Sequence, residues 1–402
     1  MSRIDDLLAQ YCPDGVEYRT LKDVAKIVRG ERVTKTELLQ NGKYPVVSGG
    51  TGYMGYLNKY NREPKTITIA QYGSAGYVNW QTEKFWANDI CFSVIPNINL
   101  ILNRFLYFFL LSKQNYLYKI SNRNAIPYSI NRERILETSI PVPPLQVQEE
   151  IVRILDSFTQ LEAELEAELE ARRQQYEYYR DSLLDINNPH NPLADMFTQY
   201  CPDGVEYIEL QKLFNTRNGY TPSRRKPEYW EIGTIPWFRM DDIRANGNVL
   251  SDSSEHITDL AVKGGRLFPA DTLIVATSAT IGIHALITVP FLCNQRFTAL
   301  IVKPEYKKLF HIKFLFYYCY VLDEWCLRNT TQSSFSAVDM KRFYNFKFPV
   351  PPLPVQERIV QILDKFDALV NDLSSGLPAE IQARRQQYEH YRDQLLSFPA
   401  AK

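Results

Sequence analysis

Forked polar side chains in loops are the residues of this sequence best suited to specific chemistry. Arg and Lys can donate hydrogen bonds to guanine, and Asn or Gln can pair with both polar groups of an adenine edge. In the first half of the chain, the candidates for such nucleic-acid contacts are Gln71, Tyr72, Ser74, Asn122, Arg123, Asn124 and Tyr128. In the second half, they are Arg217, Thr221, Arg224, Arg225, Lys226, Thr277, Ser278, Arg328, Asn329 and Gln332.

Each of these residues could equally be an ordinary solvated loop residue. The sets that follow the two aromatic runs RFLYFFLL and KFLFYYCY carry more weight, because they occur at matching places in both halves of the chain. The adjacent cations Arg224, Arg225 and Lys226 favour phosphate contacts over base contacts, since clustered positive charge attracts nucleic acid without regard to sequence.

Motifs of other chemistries do not appear in the sequence. The six cysteines contain no CxxC pair, and the five histidines form no HxxxH or HExxH pattern. The sequence has no G-x-x-x-x-G-K-[ST] phosphate loop and no tetrapeptide of the adenine-methyltransferase type. Its Pro-Asp and Glu-x-Lys patterns are short and frequent by chance, and Pro-Asp-Gly fits a turn. We therefore expect no catalytic, cofactor-binding or metal site in this chain.

The composition is that of a globular protein of two or three domains. The chain has 402 residues, of which 45% are hydrophobic and 23% charged. Its most apolar stretch, residues 105–111, is about a third of the ~20 residues that span a bilayer, and its start does not resemble a secretory signal. We expect a cytoplasmic protein without a membrane segment and with reduced cysteines.

The formal net charge of zero hides a partition of charge along the chain. Residues 146–185 carry eleven acidic and four basic side chains, and residues 355–396 carry seven acidic and five basic ones. The remainder of the chain therefore carries a net charge of +9. A basic globular part is typical of a nucleic-acid binder, although a charge of this size is common in other proteins.

An internal repeat is the main signal in the sequence. YCPDGVEY occurs at 11–18 and, identical in all eight positions, at 200–207. The segment 141–161 returns at 349–369 with 15 of 21 positions identical, and 171–184 returns at 383–396 with 12 of 14 identical. We call these repeated stretches the frame segments, and the divergent residues 19–140 and 208–348 the variable modules. Two different modules on a duplicated frame are typical of a reader of two targets.

The frame segments predict long helices. Between Pro144 and Pro189 there is no Pro or Gly, and apolar residues recur at helical spacing from Ile151 to Leu183. In the second copy, Gly376 and Pro378 should break or kink the helix. Each helix has one apolar stripe, which predicts an antiparallel pair between the two copies.

The motif ARRQQY stands in both copies and predicts a docking surface. Its last five residues, RRQQY, cover all faces of a helix, so packing against a partner helix fixes only some of them. The others could bind two equivalent partner proteins, unless the motif is simply retained from the duplication. The candidate docking residues are Arg172, Arg173, Tyr176, Arg384, Arg385 and Tyr388.

These patterns together resemble the specificity subunits of Type I restriction-modification enzymes. The repeated PVPPL-x-V-Q-E segment before long helices is typical of that family, and residues 30–58 and 218–243 resemble two openings of its target-recognition domains. The resemblance implies a mixed α/β (α+β) fold, with two globular target-recognition domains separated by two long antiparallel coiled-coil helices and related by a pseudo-two-fold repeat. We expect target-recognition domains at 1–144 and 187–352, and spacer helices at 145–186 and 353–402.

The resemblance also implies partners and cofactors. Double-stranded DNA would be read as an asymmetric bipartite site, two methyltransferase subunits would dock on the frame, and restriction subunits would add translocation and cleavage. S-adenosylmethionine, ATP and Mg²⁺ would belong to those partners, and none to this chain. Two alternatives stay open on the sequence alone: a structural coiled-coil scaffold, and the specificity module of another bipartite restriction-methylation system.

Overall fold

The computed structural model describes residues 2–331, 336–372 and 375–401. The chain folds as two compact units: unit 1 comprises Met1–Glu166 with Ile381–Lys402, and unit 2 comprises Ala167–Glu380. Each unit therefore contains one variable module together with frame segments from both halves of the sequence.

Helices of very different length accompany the sheets. They are α1 (Ser2–Tyr11), α2 (Leu21–Val24), α3 (Asn103–Ser112), α4 (Gln114–Ile120), α5 (Arg132–Leu136), α6 (Leu145–Leu184), α7 (Ala194–Tyr200), α8 (Leu210–Leu213), α9 (Met240–Asn246), α10 (Ile312–Arg328), α11 (Met340–Phe343), α12 (Leu353–Asn371) and α13 (Leu377–Leu395). Short 3₁₀ turns lie at Lys35–Glu37, Pro227–Tyr229, Asp259–Ala261, Lys263–Gly265 and Pro304–Tyr306.

The sheets of unit 1 form around one antiparallel core sheet. The strands are β1 (Tyr18–Thr20), β2 (Ala25–Arg29), β3 (Tyr44–Val47), β4 (Tyr53–Leu57), β5 (Thr66–Ala70), β6 (Val78–Gln81), β7 (Trp86–Ala87), β8 (Cys91–Pro96) and β9 (Ser139–Pro141). The core sheet has the order β2-β8-β5-β6, and a smaller sheet has the order β4-β3-β7. All five residues of β5, TITIA, are buried, as expected for a β-branched central strand.

Unit 2 repeats this plan with one more strand in its core sheet. The strands are β10 (Tyr207–Glu209), β11 (Phe214–Asn218), β12 (Ile235–Phe238), β13 (Val249–Leu250), β14 (His256–Ile257), β15 (Thr272–Ala276), β16 (His284–Ile287), β17 (Leu292–Cys293), β18 (Phe297–Val302), β19 (Thr330–Thr331), β20 (Ala337–Val338) and β21 (Lys347–Pro349). The core sheet has the order β11-β18-β15-β16-β13, and the smaller sheet β14-β12-β17. In both units the smaller sheet contains one parallel pair, β3–β7 or β12–β17.

The frame segments form the same local structure twice. The end of YCPDGVEY pairs with the start of PVPP in an antiparallel bridge, Tyr18 opposite Pro141 in unit 1 and Tyr207 opposite Pro349 in unit 2. The two-stranded sheets β1–β9 and β10–β21 thus close the base of each variable module.

Each unit also contains a packed helix pair that mixes the two copies of the frame. In unit 1, Phe158 of α6 stacks on Tyr391 of α13 with ring centroids 5.6 Å apart. In unit 2, Phe366 of α12 stacks on Tyr179 of α6 with centroids 5.4 Å apart. In each unit, a helix from the first frame copy therefore packs on a helix from the second copy.

The predicted helices and the predicted break are confirmed. The spacer helix α6 runs without interruption for 40 residues, because its sequence is rich in Leu, Glu, Ala, Arg and Gln and lacks Gly and Pro. The second copy ends its first helix at Asn371 and begins the next at Leu377, with Pro378 in the first turn. Within the described residues, no helix is both long and apolar enough to cross a bilayer.

Candidate nucleic-acid interface

In unit 1 the structure brings the two predicted sets of residues together. The Gly turn after β5 carries Gln71, Tyr72 and Ser74, and it lies beside the loop of residues 122–129 that follows the aromatic helices. The amide N–H of Gly73 donates to the carbonyl of Tyr128 at 3.0 Å, and that of Ile130 donates to the carbonyl of Gln71 at 2.9 Å. Residues 55 and 59 positions apart in the sequence therefore share one surface.

The turn itself depends on glycine. Gly73 has a φ of +75°, which glycine adopts without the strain that a side chain brings. A Cβ on Gly49 would lie 2.2 Å from the carbonyl oxygen of Tyr72, so only glycine allows that backbone to approach. Tyr72 is exposed beside this contact, while the Oε1 of Gln71 is buried without a hydrogen-bond partner among the described residues.

The 122–129 loop presents its polar side chains to solvent. Asn122, Arg123, Asn124 and Tyr128 are all exposed. The guanidinium of Arg123 lies 4.7 Å from the ring centroid of Tyr118 and 4.9 Å from that of Tyr128, so cation–π contacts hold it between the two rings. An open cleft of about 720 Å³ adjoins the loop. Arg123 is thus oriented but accessible.

In unit 2 the matching turn after β15 also meets strand β20, which follows the aromatic helix α10. The N–H of Val338 donates to the carbonyl of Thr277 at 2.9 Å, and the N–H of Asp339 donates to that of Asn329 at the same distance. The hydroxyl of Thr277 is buried against that of Thr298 at 2.8 Å, so it supports the sheet. Ser278 is half-buried, and Arg328 is exposed beside Glu324. The predicted contact at Gln332 lies outside the described residues.

Two candidate residues, one on β11 and one in the loop that follows it, make more contacts within the protein than their sequence suggests. Arg217 is half-buried with its guanidinium 4.0 Å from the ring centroid of Phe268, and its Nη2 has no partner within the described part of the chain. Exposed Thr221 donates its hydroxyl hydrogen to Oε1 of Gln295 at 2.6 Å. Arg217 therefore packs on the core of unit 2 through Phe268, and Thr221 ties the loop after β11 to Gln295.

The three adjacent cations separate into two groups. Arg224 stacks on Trp230, 3.6 Å from its ring centroid, and pairs with Glu255 at 2.5 Å. Arg225 and Lys226 are exposed. A hydrogen bond to the hydroxyl of Tyr229 raises the pKa of Lys226, which therefore stays positively charged at neutral pH. Arg225 and Lys226 have the exposure that phosphate contacts need, whereas Arg224 braces the Trp230 region.

In the first copy of ARRQQY the three candidate docking residues differ in accessibility. Arg172 pairs with Glu168 one turn earlier at 2.8 Å. Arg173 is exposed and has no ion-pair partner among the described residues. Tyr176 is buried in unit 2, with its ring centroid 6.5 Å from that of Phe366. Arg173 therefore offers the surface most open to a partner.

In the second copy, Arg385 is tied to the neighbouring helix of unit 1. Its guanidinium forms ion pairs with Glu162 and Glu166, both at 2.5 Å. Tyr388 is half-buried with its ring 6.4 Å from that of Phe158, and Arg384 donates to Oε1 of Gln387 at 3.2 Å. The matching arginines of the two copies, Arg173 and Arg385, thus differ in their ion pairing.

Sequence reasoning missed two fully buried glutamines, one in each unit, that join the variable module to the frame. The amide of Gln148 accepts from the N–H of Leu102 at 2.7 Å and donates to the carbonyls of Leu100 and Pro143. Gln356 makes the equivalent three bonds to His311, Leu309 and Pro351, at 2.7–2.8 Å. The identical V-Q-E tripeptide in both frame copies was the available signal.

No group of three or more His, Cys, Asp or Glu side chains that could hold a metal ion occurs among the described residues. All six cysteines are free thiols, and four are buried. Burial raises the pKa of the Cys91 thiol to about 12, so this group stays protonated and unreactive. In each unit, the described residues instead place polar and cationic side chains near the turn that follows the central strand, β5 or β15.

Comparison with known proteins finds the same duplicated arrangement of two modules. The model of the Type I restriction modification DNA specificity domain matches residues 13–171 and again 202–383. The Type I restriction enzyme EcoR124I/EcoR124II specificity subunit of Escherichia coli is 34% identical, over 99% of this chain and 98% of that protein. The EcoprrI specificity subunit of Escherichia coli is 57% identical, over 48% of this chain and 50% of that protein.

Solved structures share the fold. The S subunit of a Type I restriction-modification system from M. genitalium aligns with a TM-score of 0.59 at 17% identity, over 95% of this chain and 96% of that one. A chain from a structure that describes the complex assembly and conformational transition of the type I R-M system aligns with a TM-score of 0.59 at 18% identity. The alignment covers 96% of this chain and 98% of that one. The chain belongs to the family of Type I restriction-modification specificity subunits.

Proposed function

We propose that this chain is the non-catalytic DNA-reading subunit of a Type I restriction-modification complex and that each variable module reads one half of an asymmetric bipartite site. One observation supports this proposal in both units. The turn after β5 contacts the 122–129 loop in unit 1, and the turn after β15 contacts strand β20 at the matching place in unit 2. Their side chains differ between the units, so two different half-sites are expected.

The frame would serve the partners. Two methyltransferase subunits would dock on the frame helices, and restriction subunits would join the complex. S-adenosylmethionine would be used by the methyltransferases, and ATP and Mg²⁺ by the restriction subunits. Exposed Arg173 is the candidate contact that this chain keeps accessible, while Arg385 is already engaged by Glu162 and Glu166.

Module exchange tests the proposal. The chain is co-expressed with its methyltransferase subunits, and methylated adenines are mapped in the host genome. Replacing residues 208–348 with the corresponding module of another family member should change one half of the methylated motif and leave the other unchanged. The matched exchange of residues 19–140 should change the opposite half. A motif that changes in both halves, or a single uninterrupted motif, would contradict the proposal.

A further inference from the structure

Ile126 is the large apolar side chain at the tip of the 122–129 loop, where it lies between the smaller exposed residues Ala125 and Pro127. Ile126 is 92% exposed, the highest value among the large apolar side chains described in unit 1. Isolated apolar residues on a surface are common and need no explanation by themselves. The position and the surroundings of Ile126 decide whether it has a role.

The loop that carries Ile126 has a fixed base. Asn122 and Ser129 exchange two backbone hydrogen bonds, of 2.7 and 3.1 Å, as in a short hairpin. Ser129 also bridges to Tyr72 of the Gly turn. The tip is therefore presented from the same platform that carries the predicted reading residues.

The surroundings of the tip are polar and positively charged. Asn122, Arg123 and Asn124 are exposed on one side of it. The adjoining cleft is lined by Lys119, Arg123 and Arg134 together with uncharged residues, and none of its lining residues is acidic. A rim of this kind complements a polyanion, and it does not continue the apolar tip as a hydrophobic protein interface would.

We propose that Ile126 contacts the C5-methyl group of a thymine in the major groove of the half-site read by unit 1. Asn and Arg side chains beside it are the forked groups that read major-groove edges, and the thymine methyl is the apolar group exposed there. The inference rests on the proposed function, because it requires that unit 1 reads DNA. It adds an apolar specificity-determining residue to the polar candidates of the same loop.

The test uses the full-length chain assembled with its methyltransferase subunits and a duplex that contains the mapped methylation motif. Each thymine of the motif is replaced in turn by uracil, which lacks only the methyl group. In the wild-type complex, one replacement in one half-site should weaken binding about fourfold, as expected for one buried methyl group. The variant Ile126→Ala should weaken binding about tenfold and should no longer respond to that replacement.

Control variants and duplexes distinguish a methyl contact from a general change in DNA affinity. Ile98 is 69% exposed in the connection between β8 and α3, and Ile98→Ala should bind like the wild type. Equal weakening of Ile126→Ala on a motif-free duplex, or no weakening at all, would overturn the proposal. So would a loss of affinity without any uracil effect, which would point to insertion between base pairs. A wild-type complex that shows no preference for any bipartite motif would refute the proposed function itself.

Discussion

In units 1 and 2 the same contacts hold the variable module on the frame. The two units differ in the side chains that lie between the core sheet and the aromatic helix, which is α3 in unit 1 and α10 in unit 2. Gln148 and Gln356 make the same three hydrogen bonds. Arg104 pairs with Asp156 at 2.7 Å in unit 1, and Lys313 pairs with Asp364 at 2.8 Å in unit 2. The attachment is therefore repeated, residue for residue, while the module it carries has diverged.

The divergence is clearest where the aromatic helix crosses the core sheet. In unit 1, Val78 pairs with β5, and its N–H donates to Oε1 of Gln114 at 2.9 Å. At the same register in unit 2, fully buried His284 bonds through Nδ1 to Asp323 at 2.6 Å. Val78 and Gln114 of unit 1 are neutral, whereas the matching residues of unit 2, His284 and Asp323, form a buried titratable pair. The difference shows that at this place in the module interior both interacting residues differ between the two units.

The largest expected effect is obtained by breaking this pair. His284→Val alone leaves Asp323 buried without a partner and should lower the free energy of unfolding of unit 2 by about 3 kcal/mol. The double variant His284→Val with Asp323→Gln installs the pair found in unit 1 and should recover most of that loss, as measured by chemical denaturation. If the double variant is no more stable than the single one, the two residues do not act as a unit.

Breaking what the units share should give equal effects in both. Gln148→Leu and Gln356→Leu each leave two carbonyls and one N–H group without their partner and should each lower the free energy of unfolding by about 2 kcal/mol. Exposed Gln146, two residues before the first of them, provides the control, and Gln146→Leu should have almost no effect. A loss confined to one unit would show that the two attachments are not equivalent despite their matching geometry.

The sequence allows the frame to be predicted further than the modules. Identical segments and helical periodicity predict α6 and the break before Leu377, because these depend on local propensity. The contact between the Gly turn and the 122–129 loop was not predicted, because the sequence shows only that the two segments occur in the same order in both halves. The engagement of Arg224 by Glu255, 31 positions away, could not be predicted, since it depends on long-range strand pairing. Ile126 carries no signal in the sequence, because a single apolar residue in a loop matches no motif and only its exposure distinguishes it.

The smallest effect concerns a second titratable group that only unit 2 possesses. Burial raises the pKa of the Asp367 carboxyl, despite the hydrogen bond from Asn371 that lowers it. The corresponding position of the first frame copy is Thr159. A carboxyl whose pKa is higher in the folded state binds its proton more tightly there, so folding is favoured at low pH. The stabilising effect of protonation is then lost as the pH rises through the folded-state pKa.

Asp367→Asn should therefore stabilise unit 2 slightly at pH 7, where the native carboxyl is charged although it is partly buried. The gain should shrink as the pH falls and vanish below the unfolded-state pKa of about 3.9. Denaturation curves of the variant and the wild type, recorded from about pH 3 to pH 8, measure this difference directly. Thr159→Asn, at the matching position of unit 1, should shift stability without any dependence on pH, because neither residue titrates in that range. A stability difference for Asp367→Asn that stays constant across the series would mean that the carboxyl is not charged and desolvated in the folded protein, and the contrast between the two units at this position would then be one of packing alone.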